Sequence, residues 1–349
     1  MSQSQTPRLD WTGKSVLVTG GTGSFGKKFV EIMLREYRPE RVIVFSRDEL
    51  KQHEMRQVFS DREGKPMRYF IGDVRDRDRL RRAFQGVQIV VHAAAMKQVP
   101  SCEYNPIEAV MTNVDGASNV ISAALDAGVE RVLALSTDKA VNPVNLYGAT
   151  KLVAEKLFVQ GNAYAGTGHT RFSCTRYGNV VGSRGSVIPL FLSQRSSGVV
   201  TVTDARMTRF WITLDQGVRF VIACIERMMG GEIFVPKLPS TGIMDIAAVA
   251  APGCKPEFVG IRAGEKLHEV LVSEDEARTS VEHEDLYVVL PPPSSPVDQL
   301  GPATWFVGER AQGKPLPEGF RYGSETNPWR VDGEELQALM GGQAPVTAR

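Results

Sequence analysis

The sequence holds no run of about 18 apolar residues, the length that a membrane-crossing helix needs, so no membrane span is expected. Cysteine is scarce, four in 349 residues. Cys102, Cys174, Cys224 and Cys254 are scattered with no C-x-x-C pair, and read as reduced packing residues of a cytoplasmic protein rather than a disulfide framework. The five histidines lack ligand spacing, so no metal site is expected. Neither sign of charge dominates: 41 Lys and Arg face 40 Asp and Glu, for a net charge of +1. That balance gives no footing for a nucleic-acid partner or an anionic membrane surface. The first ten residues, MSQSQTPRLD, are polar and lack the apolar stretch of a signal peptide.

What remains is an ordinary globular composition, 42% hydrophobic and 23% charged, in a chain long enough for two lobes. The first half alternates short apolar runs with helical patterns. Strands are expected at 15–19, 41–45, 67–71, 88–92, 131–135 and 172–177. Helices are expected at 25–36, 111–127 and 146–160. This alternation predicts βαβ units and a doubly wound parallel α/β sheet of Rossmann type. The pattern breaks after about residue 178, where GNVVGSRGSVIP brings glycine, serine and proline. Residues 12–181 are therefore expected to form the dinucleotide-binding domain, with a helix at 214–228 and a strand at 232–235 returning to it across 212–238. Residues 182–211 and 239–349 are expected to form a smaller C-terminal substrate-binding lobe, with loop from Pro291 to about 318 and a last helix at 332–340.

The turn VLVTGGTGSFG puts Gly20, Gly23 and Gly26 three apart, after a strand and before a helix. Small residues let backbone approach a pyrophosphate, and the helix N-terminus offers free N–H groups. Thr22, Ser24 and Phe25 complete this cofactor turn. After the second strand, Ser46-Arg47-Asp48-Glu49 and Lys51 supply a hydroxyl and two cations for a 2′-phosphate. NADP is therefore preferred, with NAD as the alternative because of the neighbouring acids. Asp73 and Val74 are placed to meet the adenine. Ala93 and Ala95 are small enough to line the cofactor channel, and Lys97 faces the mouth, where it can hold a sugar or a phosphate.

Tyr147 and Lys151 lie four apart on a predicted helix and share a face. An ammonium beside a phenol lowers the phenol's pKa, and a lowered phenol can take a proton from a sugar hydroxyl during hydride transfer. The Thr137 hydroxyl is placed to assist.

TGGTGSFG, STDKAVNPVNLYGATK and RYGNVVGSRGSVIP together resemble the extended short-chain dehydrogenases/reductases, and more narrowly the nucleotide-sugar 4,6-dehydratases. The resemblance spans about residues 12–290 and is strongest to the soluble inverting UDP-N-acetylglucosamine 4,6-dehydratases of the pseudaminic acid pathway. It implies NADP, a UDP-N-acetylglucosamine substrate, a homo-oligomer, and Asp138 and Lys139 as the acid and base of a water elimination. Each would then need a shifted pKa, Lys139 lowered and Asp138 raised, or Asp138 recently protonated. It also implies a substrate set of Lys97, Asn179, Ser186, Val187, Arg209, Arg262 and Glu265. The usual family proline is Ala205 here. Membrane-bound retaining relatives often carry methionine where this chain has Tyr147, which favours the inverting branch without deciding the stereochemistry. A retaining dehydratase, a UDP-sugar 4-epimerase or reductase, and a non-catalytic dinucleotide-sensing scaffold are the competing readings. An epimerase has no use for the Asp138-Lys139 couple, and a scaffold has no use for the whole constellation.

Overall fold

A computed structural model of the chain describes residues 9–166, 168–182, 186–291 and 312–341. Gly185 of the expected substrate loop, most of the proline-rich segment and the polar N-terminal eight residues lie outside the described residues.

Six strands match the alternation: β1 (Ser15–Thr19), β2 (Arg41–Ser46), β3 (Met67–Ile71), β4 (Ile89–His92), β5 (Arg131–Leu135) and β6 (Arg171–Thr175). They pair in parallel in the order 3-2-1-4-5-6. Strand periodicity divides their side chains between two cores. Val16, Val18, Val42, Val44 and Leu133 point to one face, while Leu17, Ile43, Val90, Val132 and Phe172 point to the other. Helices cover both faces, so every residue of β1 is buried.

The helix expected at 25–36 runs from Ser24 to Ile32, then widens into a π turn at Met33–Tyr37. The one expected at 111–127 also contains a π turn, Met111–Asp115, before Gly116–Ala127. It stops at Gly128, whose φ of +67° is left-handed, a terminator that glycine adopts without penalty. The helix expected to end at 160 runs from Leu146 to Ala165.

Beyond β6 the sheet continues further than the sequence pattern predicts. Ile233–Pro236 pairs in parallel with β6, and then Leu286–Val289, Ser280–Glu282 and Lys314–Pro315 add antiparallel strands. Strands of two to four residues give too short a periodic signal to be read from sequence. A third, smaller core gathers Ile188, Phe191, Met207, Trp211, Ile246, Leu336 and Leu339. It lies among the helices Val187–Gln194, Ile243–Ala250 and Gly333–Met340.

Arg176, just past β6, joins these parts. It is fully buried, and its guanidinium donates to both oxygens of Glu155 at 2.8 and 2.6 Å and both of Glu276 at 2.7 and 3.0 Å. A further donor reaches Leu271 O at 3.2 Å. Arg176→Leu strands two acids with no cation and should destabilise the protein by about 3–5 kcal/mol. Denaturant unfolding monitored by circular dichroism checks this.

Candidate active site

At the carboxyl ends of β1 and β4 the strand order reverses, which opens a crevice. Gly20 has φ of +65°, and a Cβ there would meet Ala94 backbone at 2.9 Å. Gly23 is the N-cap of helix Ser24–Ile32. A Cβ on Gly26 would stand 2.2 Å from Gly21 O, so Gly26 serves close packing of helix on turn. Of the expected cofactor residues it alone stands outside the lining of the large pocket described next.

That pocket has a volume of about 1150 Å³. Gly20, Thr22, Gly23, Ser24 and Phe25 form one end of it. Ser46, Arg47, Lys51, Asp73 and Val74 form a second wall, and Ala93, Ala95 and Lys97 a third. The alanine wall is hung from Thr19. Its Oγ1 accepts from Ala93 N and Ala94 N at 3.2 Å and pairs with His92 Nδ1 at 2.8 Å. Burial, and then the Lys151 charge, push His92 down to about 3, so it is neutral. Neither Thr19 nor His92 was singled out from sequence, where both look like strand filler.

Asp48 caps helix Glu49–Val58, accepting from Lys51 N at 2.9 Å. Its other oxygen pairs with the Lys51 ammonium. The nearest acid is thus engaged, and so is the expected second cation. Arg47 stays largely exposed, 3.3 Å from Asp73 Oδ2.

The strip after β5 forms a short 3₁₀ turn, Asp138–Ala140. Helix Leu146–Ala165 packs hard onto it, since a Cβ on Gly148 would lie 2.2 Å from Lys139 O. Asn145 caps that helix, and its Nδ2 donates to Gly264 O at 2.7 Å. Thr137 Oγ1 donates to Asp138 Oδ1 at 2.8 Å, and its hydroxyl lies beside the Tyr147 phenol. Lys139 Nζ donates to Asp138 Oδ1 at 3.0 Å and stands 3.2 Å from Glu269 Oε1. Thr137, Lys139, Tyr147 and Lys151 all line the pocket, and Asp138 is buried behind them.

Two electrostatic expectations are corrected. Lys151 donates to Leu135 O at 2.7 Å instead of meeting the phenol. Burial pushes Tyr147 up to about 12, against the opposing effects of Lys139 and Thr137. Burial also draws Lys139 down, but Asp138 and Glu269 outweigh it, and the ammonium is held above its ordinary value, not below. Asp138 is raised as expected, because burial outweighs the adjacent Lys139 charge. Glu269 is pulled below the usual carboxylate range: Lys139, Arg209 and Lys266 overcome the effect of burial.

Asn179, Ser186, Val187, Arg262 and Glu265 line the far end of the pocket. Arg262 is exposed and 4.0 Å from Glu265, a cation available to an anionic ligand. Arg209 lines the pocket too. Nη1 and Nη2 donate to Thr208 O, Leu267 O, Lys266 O and the Met207 sulfur, and Nε faces Glu269 at 3.7 Å. It lines the pocket while holding backbone and carboxylate. Lys266 likewise donates to Val141 O at 2.6 Å.

The pocket suits a large polar ligand. The hydroxyls of Thr112, Ser136 and Ser186 line it, buried and without a protein partner. The glycine cradle at one end and the exposed Arg262 at the other suit two phosphate-bearing groups. Gly26→Ala would drive a methyl into backbone. It should lower stability by about 1–3 kcal/mol and weaken dinucleotide binding, as read by thermal melting and by titration with NADP.

Residues 16–291 match the family described as polysaccharide biosynthesis protein. A Campylobacter jejuni protein named UDP-N-acetylglucosamine 4,6-dehydratase (inverting) is 51% identical over 94% of this chain and 98% of its own length. A Rickettsia conorii protein named UDP-glucose 4-epimerase is 42% identical over 94% of this chain and 95% of its own. Among solved structures, Pen from Bacillus thuringiensis superposes with a TM-score of 0.84 at 37% identity, covering 96% of this chain and all of that one. DesIV, a dTDP-glucose 4,6-dehydratase of Streptomyces venezuelae solved with NAD bound, gives 0.64 at 25% identity over 72% of this chain and 86% of that one. The chain belongs to the polysaccharide biosynthesis protein family, within the short-chain dehydrogenase/reductase superfamily.

Proposed function

We propose that this chain is a UDP-N-acetylglucosamine 4,6-dehydratase that inverts C5, yielding a UDP-4-keto-6-deoxy-L-hexose. The observation that carries the reading is the adjacency of Asp138 and Lys139, 3.0 Å apart, to Thr137 and Tyr147 in one pocket. The 51% identical Campylobacter protein of that name supports it. The cradle of Gly20, Thr22, Gly23, Ser24 and Phe25 would hold a nicotinamide dinucleotide, which when bound supplies the hydride acceptor for C4 and the donor for C6.

The chain's own groups move the protons. Tyr147, as its phenolate, receives the C4 hydroxyl proton, with the Thr137 hydroxyl beside it and donating to Asp138. The C4 ketone acidifies C5–H, and that proton is taken by the neutral fraction of Lys139, the minor form because Asp138 and Glu269 hold its pKa up. Asp138, whose raised pKa favours the acid form, protonates the departing C6 hydroxyl as water. Reprotonation of C5 from the opposite face gives inversion. Lys151 acts by holding Leu135 O and supplying positive charge behind the site. Lys97, Asn179, Ser186, Val187, Arg262 and Glu265 are assigned to the UDP-sugar.

Arg47, exposed beside an acid already used as a helix cap, supports NADP over NAD. A homo-oligomer and a place in pseudaminic acid synthesis rest on the sequence resemblance. The 42% identical protein named an epimerase keeps 4-epimerisation as the second reading.

Proton NMR of the protein with NADP and UDP-N-acetylglucosamine in deuterated water separates them. A new C6 methyl with L-configured C5 is the expected result. Retained configuration would point to a retaining dehydratase, and a UDP-N-acetylgalactosamine spectrum to an epimerase. Lys139→Ala should lower methyl formation by about 10²-fold or more, whereas an epimerase would tolerate it. Arg47→Ala should weaken NADP about tenfold through loss of a charge-assisted bond and leave NAD nearly unchanged, as read by equilibrium titration.

A further inference from the structure

Glu269 precedes the strand Val270–Val272 and is 2% exposed. A carboxylate this deep needs partners, and those it has are all at the reacting end of the pocket. Oε1 lies 3.2 Å from Lys139 Nζ and 3.7 Å from Arg209 Nε. Oε2 is buried with no protein partner. Its backbone is fixed independently: Glu269 N donates to Ser324 Oγ at 2.9 Å, and Ser324 N donates back to Glu269 O at 2.8 Å. Arg209, pinned to carbonyls of 208, 266 and 267, braces the carboxylate from the other side. The Lys139 ammonium is thus held between Asp138 and Glu269, two acids delivered by separate parts of the chain.

We infer that Glu269 is a positioning residue for the elimination step, aiming the Lys139 amine and stabilising the ammonium that forms when it takes the C5 proton. This rests on the dehydratase reading. The step itself balances without a co-reactant: the C5–H bond breaks, the proton joins Lys139 nitrogen, and the electron pair remains on the sugar beside the C4 ketone. A carboxylate about 3 Å away makes the amine a stronger base but leaves less of it neutral at a given pH. The charged and titratable groups facing Lys139 are Asp138, Glu269, Arg209, Lys266 and Tyr147. Only Asp138 and Glu269 favour its cation.

The opposing effects give a signature that a structural role would not. In Glu269→Gln holoenzyme, methyl-product formation should rise with pH along a limb displaced about one to three units toward acid. Its upper plateau should fall several-fold, because a weaker base abstracts more slowly. Reduced-nicotinamide absorbance should build up in a single turnover with NADP and UDP-N-acetylglucosamine, since C4 oxidation uses Tyr147 and proceeds ahead of the slowed elimination. An unmoved limb, with both steps slowed in parallel, would overturn the inference. If the Gln variant does not fold, Glu269→Asp keeps the charge but withdraws it by one methylene. The limb must then shift in the same direction by less, and no shift overturns the inference. Failure of the unaltered enzyme to form a C6 methyl overturns the dehydratase reading itself and this inference with it, and is recognised because the control fails too.

Discussion

Much of this structure turns on keeping one ammonium ion, that of Lys139, half-buried at the edge of a deep crevice. A lysine there is tolerated only with compensating charge. Asp138 supplies part of it from the same turn, at 3.0 Å, and Glu269 supplies the rest from a distant part of the chain, at 3.2 Å. The arrangement separates the titrations of neighbouring groups, with Asp138 pushed up and Glu269 pushed down. Groups whose environments drive their pKa values apart are the ones that can divide acid and base duties.

The rest of the fold holds those groups in register. Gly148 lets the Tyr147–Lys151 helix rest on the carbonyl of Lys139. Asn145 ties the start of that helix to Gly264, and Arg176 ties its middle, through Glu155, to Glu276. Ser324 and Arg209 fix Glu269. Gly264, Glu269, Glu276 and Ser324 therefore help to hold the pocket residues of the proposed proton-transfer site.

Legibility from sequence followed the range of each interaction. β1 to β6 were readable because continuous buried strands leave apolar runs. The glycine turn was readable because its steric demands lie within one loop. The Tyr147–Lys151 spacing correctly predicted a shared pocket, yet the lowered phenol did not follow. A shared helix face says nothing of where an ammonium finds its acceptor, and Lys151 finds it at Leu135 O. Arg209 lines the same pocket, and its protein partners were equally invisible in sequence. Its type suits a diphosphate, but the carbonyls that claim its donors come from residues 208, 266 and 267. Glu269 carried no signal beyond one acid in GEKLHE.

The sequence by itself determined the alternation, the phosphate cradle, the local acid–lysine couple and the helix carrying tyrosine and lysine. All of these depend on neighbours within a few residues. Only the tertiary structure decided the protonation tendencies of Tyr147 and Lys139, the inward turn of Arg209, and the approach of Glu269. Each is set by desolvation or by a charge delivered from across the fold, and Coulomb and burial energies depend on distance in space, which chain position does not encode.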